Sequence, residues 1–373
     1  MKFNYSFKIQ YIFVLVLAAA LNCIGVLTVR SATGMDAAVM YRQILGSVAG
    51  FVVCLIISFI DYSKLFKISV FIYFGIIAIL FAVLMLGVVR GGAGRWIELP
   101  VVGLLQPAEF AKAGLILCFA AYFNRHQHDL NELRTIVIAF IMLGIPAALI
   151  FLEPNLSTTI ILAVIFFAMF CVSGVSVKII AILLSVASIG IGVIYYLFST
   201  DRYQGLTFIK DYQKKRILSF LDPSADPDSW LQQQNSIMAI GSGGFFGKGL
   251  YNTDINSVKA ANYLIEEDTD FIFAVVGEEL GFRGALIILI LYFLLILVIL
   301  YIGGRADDVG GCTICVGVAT WLAFQTFTNI AVTTGLFPNT GVTLPFFSRG
   351  ISSIAAIYIG LGFVLNVCLK EKQ

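Results

Sequence analysis

The sequence predicts an all-α polytopic membrane protein, with about ten transmembrane helices and one large extracellular loop between the seventh and the eighth. Three observations predict it. Sixty per cent of the 373 residues are hydrophobic and 12% are charged, too little polarity to cover a soluble chain of this length. Apolar stretches near or above the ~20 residues needed to cross a bilayer recur from end to end. One long interruption, residues 199–270, separates seven such stretches from three.

In chain order the expected spans are 9–29, 43–60, 68–89, 107–123, 135–152, 157–174, 179–198, 271–302, 310–333 and 351–369. The first follows Lys2 and Lys8 and is too long for a signal-peptide core, so it is read as a retained span. An even number of spans puts both termini on one side. That side carries Lys2, Lys8, Lys64, Lys67, Arg125, Arg134, Lys178, Arg305, Lys370 and Lys372, against Arg30, Arg42, Arg90, Arg95 and Arg349 in the short loops opposite. Ten against five favours cytoplasmic termini. The 199–270 loop is then extracellular, and its Phe, Trp, Ile and Leu content argues for a folded segment rather than a disordered one. The whole chain, 1–373, reads as a single membrane domain. Between the last two spans, "TGLFPNTGVTLPFFSRGISS" (334–353) is rich in turn residues yet apolar. Residues 334–350 are expected to be re-entrant, a conformation tolerated only in protein or around a cavity.

A net charge of +2 excludes nucleic acid as a partner. The seven cysteines lie in or beside apolar spans and read as packing residues. Both histidines, His126 and His128, fall in a cytoplasmic loop, so chemistry outside would rest on carboxylates. Those gather in "EEDTDFIFAVVGEELGF" (266–282), where six of seventeen residues are acids. Asp268 or Thr269 is expected to cap the eighth span, with Asp270 in its first turn. The helix N-terminus favours the charged form of Asp270, and Glu266, Glu267 and Asp268 oppose it. A carboxylate so balanced is a general base, a holder of a divalent cation, or a capping acid, and spacing leaves all three open. Glu279 and Arg283 have the spacing of an i,i+4 pair, and Glu109 and Lys112 that of an i,i+3 pair or of ligand contacts. Glu153-Pro154 ends the fifth span. Gln325 and Asn329, four apart on the ninth span, either join helices or line a cavity. The run 271–302 would measure ~48 Å as one helix against a ~30 Å hydrocarbon core; Gly277, Gly281 and Gly284 permit a kink.

Five segments resemble the SEDS family (shape, elongation, division and sporulation), the bacterial peptidoglycan polymerases typified by RodA, FtsW and SpoVE. They are "GAGRWIELPVVGLLQPAEFAK" (92–112), "EPNLSTT" (153–159), "NSIMAIGSGGFFGKG" (235–249), "TDFIFAVVGEELG" (269–281) and "FPNTGVTLPFFSRGISS" (337–353). The resemblance covers essentially the whole chain. It implies polymerisation of lipid II outside the cytoplasmic membrane, with a class B penicillin-binding protein as partner, and carries the family's catalytic aspartate onto Asp270. The candidate substrate-binding set is Arg95, Trp96, Glu109, Lys112, Lys248, Asn329, Arg349 and Ser352. Arg95, Lys248 and Arg349 are assigned to pyrophosphate charge, and Glu266, Glu278 and Glu279 stand in support. A divalent cation such as magnesium is admitted, with no ligand set assigned. The chain departs from the family pattern at Asn155, Asp268, Ala108 and Arg349-Gly350-Ile351; Asp268 makes the rim more acidic, and Arg349 is placed to offset it. Elongation, division and sporulation stay open, RodA-like elongation being favoured. Two rival readings are a lipid II flippase and a non-catalytic scaffold for the transpeptidase.

Overall fold

In a computed structural model the described residues are 9–90, 93–99, 103–200, 214, 218, 227–252, 257–259, 264 and 267–370. Each of the ten apolar stretches forms a helix: α1 (Ile9–Ala32), α2 (Ala37–Ser58), α3 (Tyr62–Leu86), α4 (Pro107–Arg125), α5 (Leu133–Leu152), α6 (Leu156–Val172), α7 (Val177–Ser199), α9 (Ile272–Gly304), α10 (Val309–Thr333) and α11 (Ile351–Lys370). An eleventh helix, α8 (Pro227–Ser242), belongs to the long loop.

Polar residues mark where the helices begin. Asp36 accepts from the Ala38 amide at 2.8 Å, Asp61 from Ser63 at 2.9 Å and Asp308 from Gly311 at 2.6 Å, each satisfying an orphan donor of a first turn. Eight of the helices are long and apolar enough on their own to cross a bilayer. Among the ten helices formed by the apolar stretches, the exceptions are α6, with seventeen residues, and α4, which carries Glu109 and Lys112 into the protein interior. Both are interior helices, so neighbouring helices rather than lipid surround most of their length.

Burial sorts the bundle into layers. In the apolar windows of α11 and α10, 83% and 67% of residues are buried, against none in α7. α11 packs most extensively on α2, while α10 packs on α9, α6 and α4. The centre is therefore α4, α10 and α11, and α7 faces outward. Asn366 of α11 fastens the α2–α3 turn, donating to the Ser58 carbonyl at 2.7 Å and accepting from the Tyr62 amide at 2.9 Å.

Two segments between the spans are not helical, the first unexpectedly and the second as expected. Residues 88–105 form a small antiparallel sheet, β1 (Val88–Arg90), β2 (Ala93–Leu99) and β3 (Gly103–Leu105), in the order β1-β2-β3. Its two edge strands, three residues each, are too short to show alternation in sequence. Residues 334–350 run without helix or strand, and Leu344 to Ser348 are buried. This segment lies against α1 at Gly25, where any Cβ would come within 2.2 Å of the Phe346 carbonyl oxygen. Only glycine lets the two backbones approach so closely.

Candidate active site at the α9 entrance

The long α9 is broken at Gly281, whose φ of 67° and ψ of −170° belong to a region essentially reserved for glycine. In a continuous helix the amides of Phe282 and Arg283 would bond the carbonyls of Glu278 and Glu279. Here the loop segment 241–249 enters instead. Phe282 and Arg283 donate to the carbonyls of Gly244 and Phe245, at 2.9 and 3.1 Å, and the freed carbonyls of Glu278 and Glu279 accept from Lys248 and Gly249, at 2.9 and 3.0 Å. These four backbone groups displaced by the break are thus repartnered, as burial demands. The glycines of the loop make the approach feasible: a Cβ at Gly243 would stand 2.0 Å from the Gly277 oxygen, and one at Gly247 2.2 Å from the Glu279 oxygen.

The same break overturns the expected Glu279–Arg283 pair, because i,i+4 proximity requires an unbroken helix. Glu279 instead accepts from Ser31 of α1 at 2.6 Å and pairs with Lys259. Arg283 lies over the Phe246 ring, 5.5 Å from its centroid. Glu278 pairs with Lys248 at 2.7 Å and accepts from the Val258 amide at 2.8 Å and the Lys259 amide at 3.2 Å. These two acids thus anchor the long loop to α9. The Lys248 ammonium, nominated for pyrophosphate, is engaged by Glu278. Sequence reasoning missed Lys259, whose partner lies twenty residues away with no local signal.

Asp270 does not sit in the first turn of α9. The helix starts at Ile272 with Phe271 at its cap position, and residues 267–270 form the preceding turn. That turn is held along its backbone by the far end of the chain. The Asp268 carbonyl accepts from the Arg349 amide at 2.7 Å, the Thr269 carbonyl from the Ser348 hydroxyl at 2.6 Å, and the Asp270 carbonyl from the Asn329 side chain at 2.8 Å. Asn329 also donates to Val342 at 2.7 Å, and Ser348 accepts from the Leu344 amide at 2.7 Å. The Arg349 guanidinium pairs with Asp268 at 2.6 Å, offsetting the extra acid of this chain. Three successive carbonyls are fixed, and the Asp270 side chain stays half-buried. Ser348 is the second residue that sequence reasoning missed, though it lies within a quoted motif.

Glu267 is half-buried in this turn, and burial pushes its carboxyl up to about 7; Lys259 opposes that shift, and Asp268, Glu278 and Glu279 add to it. Glu266 lies outside the described residues.

Beneath the turn, the i,i+3 pair forms: Lys112 donates to Glu109 and to Gln325, both at 2.9 Å. Its ammonium lies over the Trp321 ring, 4.8 Å from the centroid. Gln325 in turn donates to the Thr343 carbonyl at 2.9 Å. This chain of contacts joins α4 and α10 to segment 334–350. Ser352 accepts from the Gln106 amide at 3.0 Å, fastening the start of α4 to α11. Arg95 and Trp96, both on β2, stand on another flank. The Arg95 guanidinium donates to the carbonyls of Glu153 and Pro154, so it binds the α5–α6 turn. Glu153 follows the last residue of α5, and burial raises its carboxyl to about 8, Arg95 only partly opposing that. Both Glu153 carboxylate oxygens are buried without a hydrogen-bond partner among the described residues.

The geometry brings Asp270, Asn329 and Arg349 together, with Glu278, Glu279 and Lys248 behind them. It places Lys112, Glu109 and Arg95 in separate clusters. Among the described residues no three His, Cys, Asp or Glu side chains gather as a metal site. The arrangement offers a half-buried carboxylate on a turn whose three successive carbonyls are held, a setting compatible with general base catalysis.

A family model described as "Cell cycle protein" matches residues 8–373. The chain is 32% identical over 371 residues to a probable peptidoglycan glycosyltransferase FtsW of Geobacter sp. (strain M18), covering 96% of each. It is 32% identical over 361 residues to the peptidoglycan glycosyltransferase MrdB of Escherichia coli (strain K12), covering 96% of this chain and 93% of that one. Among solved structures, a chain of a peptidoglycan synthase complex that coordinates polymerization and crosslinking superposes with a TM-score of 0.77 at 26% identity, covering 95% and 96% of the two chains. The rod shape determining protein RodA of Thermus thermophilus shares the fold, with a TM-score of 0.70 at 24% identity, covering 96% and 97%. Matched over nearly its whole length, this membrane protein belongs to the FtsW, RodA and SpoVE family.

Proposed function

We propose that the protein is a peptidoglycan glycosyltransferase that polymerises lipid II at the outer face of the cytoplasmic membrane. The observation that carries the proposal is the turn 267–270, whose carbonyls are held by Asn329, Ser348 and Arg349 while Asp270 itself is only half-buried. Asp270 takes the proton from an acceptor sugar hydroxyl as that oxygen bonds to the anomeric carbon of the donor. The bond from that carbon to the donor pyrophosphate breaks, and the lipid pyrophosphate leaves with the electron pair. One base suffices for such an inverting displacement, and no sugar–enzyme bond forms. Arg349 lies beside this turn and, 48% exposed along its side chain, is the cation best placed to meet pyrophosphate oxygens.

The partner that this reading implies is a class B penicillin-binding protein that cross-links the product. It is supported by the similarity to a chain from a synthase complex that couples polymerization to crosslinking. The termini are assigned to the cytoplasm on the charge asymmetry of the loops.

Purified protein given labelled lipid II tests the reading. Wild type is expected to yield glycan polymer, and Asp270→Asn to lose at least about 10²-fold in rate, the scale of a general base, while keeping its fold. A parallel arm with a divalent chelator reads out any cation requirement. Polymer from Asp270→Asn at the wild-type rate overturns the assignment of the base, and leaflet exchange without polymer overturns the enzyme.

A further inference from the structure

Helix α8 turns polar side chains inward and leaves large apolar ones outside. Gln233, Asn235 and Ser236 are buried beside Ala239, whereas Trp230, Leu231, Ile237 and Met238, with Gln234 among them, lie outward, the four apolar ones between 38% and 51% exposed. The inward polar groups have work there. Gln233 donates to the carbonyls of Val332 and Phe337 at 2.8 and 2.7 Å, and Ser236 to that of Thr333 at 2.8 Å. Val332 and Thr333 are the last residues of α10, and Phe337 lies in the chain reversal just beyond them. A helix in a water-exposed loop would turn its apolar stripe inward; this one uses its polar stripe as a cap and leaves the apolar one outside.

We propose that the outward face of α8 lies in the headgroup–acyl boundary of the bilayer, on the side of Asp270, as an interfacial helix. Continuity with the lipid-facing surface identifies lipid as the occupant. Phe327, exposed on the flank of α10, packs against Phe337 with ring centroids 5.8 Å apart. Exposed Leu336 adjoins Phe337, and Ile237 of α8 closes on Gly335, where a Cβ would come within 2.8 Å. One apolar band thus runs from the bilayer-facing side of α10 across the chain reversal and onto α8. Its depth is set by the end of α10, a helix that crosses the membrane. A Trp, Leu, Ile and Met face at the end of a span is the composition that the interface favours.

The placement matters for the site. Ala239 of α8 is buried in one cluster with Phe271, Ala274 and Val332, so α8 is coupled to the residue next to Asp270. A helix held at the headgroup level would hold the Asp270 turn there as well, the level at which a lipid-linked pyrophosphate lies. That consequence rests on the reading of Asp270; the lipid contact does not.

The test uses full-length protein in nanodiscs, without any partner protein, made with lipids brominated at graded depths. Emission from Trp230 is obtained as the difference between wild type and Trp230→Phe, a mild change at an exposed position. Bromines ~5–10 Å below the headgroups are expected to remove about half of that emission, and aqueous iodide little. A Leu231→Glu, Met238→Glu double variant should reverse the order, with iodide becoming the stronger quencher. Quenching of Trp230 by iodide but not by bromolipid overturns the proposal, as does shielding from both or shielding that develops only when a transpeptidase is added. These readouts do not depend on polymerisation, so they stand or fall separately from Asp270→Asn.

Discussion

Replacing Gly281 by alanine tests whether the break in α9 seats the outer loop. At φ 67° and ψ −170° a side chain costs ~1–3 kcal/mol from backbone strain alone. The added Cβ would also stand 2.3 Å from the Gly247 nitrogen and 2.8 Å from the Phe245 oxygen. Both are backbone atoms and cannot rotate away. The structure can relieve the clash by straightening α9, which restores the Phe282 and Arg283 bonds within the helix but expels segment 244–249. The exchange then strips partners from the amides of Lys248 and Gly249 and from the carbonyls of Gly244 and Phe245. Taking only ~2 kcal/mol against the docked state, its population relative to the open one falls ~30-fold. Hydrogen exchange by mass spectrometry should show amides 248–249 losing protection by about that factor, with polymerisation falling in parallel. Gly75→Ala is the control, since a Cβ there meets nothing within 4 Å and helix propensity improves. Unchanged protection at 248–249 in Gly281→Ala would refute the reasoning, for the loop would then be seated by something other than the break.

Two further outcomes follow from the same site. Ser348→Ala leaves the Thr269 carbonyl and the Leu344 amide without their partner; turnover is expected to fall about tenfold, as for ~1–2 kcal/mol of lost positioning, with KM little changed and partial rescue by threonine, whereas equal loss with threonine would point to a packing role. Glu267 has its carboxyl raised to about 7 by burial, so the folded state holds the proton more tightly than the unfolded chain; its contribution to stability is complete below the ordinary carboxylate range and is lost as pH rises through about 7. Unfolding followed from pH 4 to 8 should lose that decline in Glu267→Gln, and an identical profile in the variant would remove Glu267 as its cause.

Much of this architecture can be read from the chain because hydropathy and length act locally. Every stretch long enough to span forms a helix, and Gly277, Gly281 and Gly284 announce that α9 is not straight, although only the geometry identifies Gly281 as the break. Local rules failed where partners come from far along the sequence. The i,i+4 rule joined Glu279 to Arg283, yet the break rotated them apart and delivered Lys259 through the loop. The capping rule put Asp270 inside the helix, yet Asn329, Ser348 and Arg349 hold the turn outside it. Lys248 looked available because its partner, Glu278, lies thirty residues on. The strands at 88–105, only three residues long at either edge, carry no pattern that a sequence rule could detect.

The dependence of the Asp270 turn on residues 329, 348 and 349 bears on the order of events at the ribosome. A nascent chain that has just released Asp270 lacks the groups that fix it, since Ser348 and Arg349 are made about eighty residues later. The carboxylate can therefore take its working position only after the ninth span has been inserted and the chain beyond it has folded back. Products cut short before that point would carry the aspartate without the groups that hold its turn.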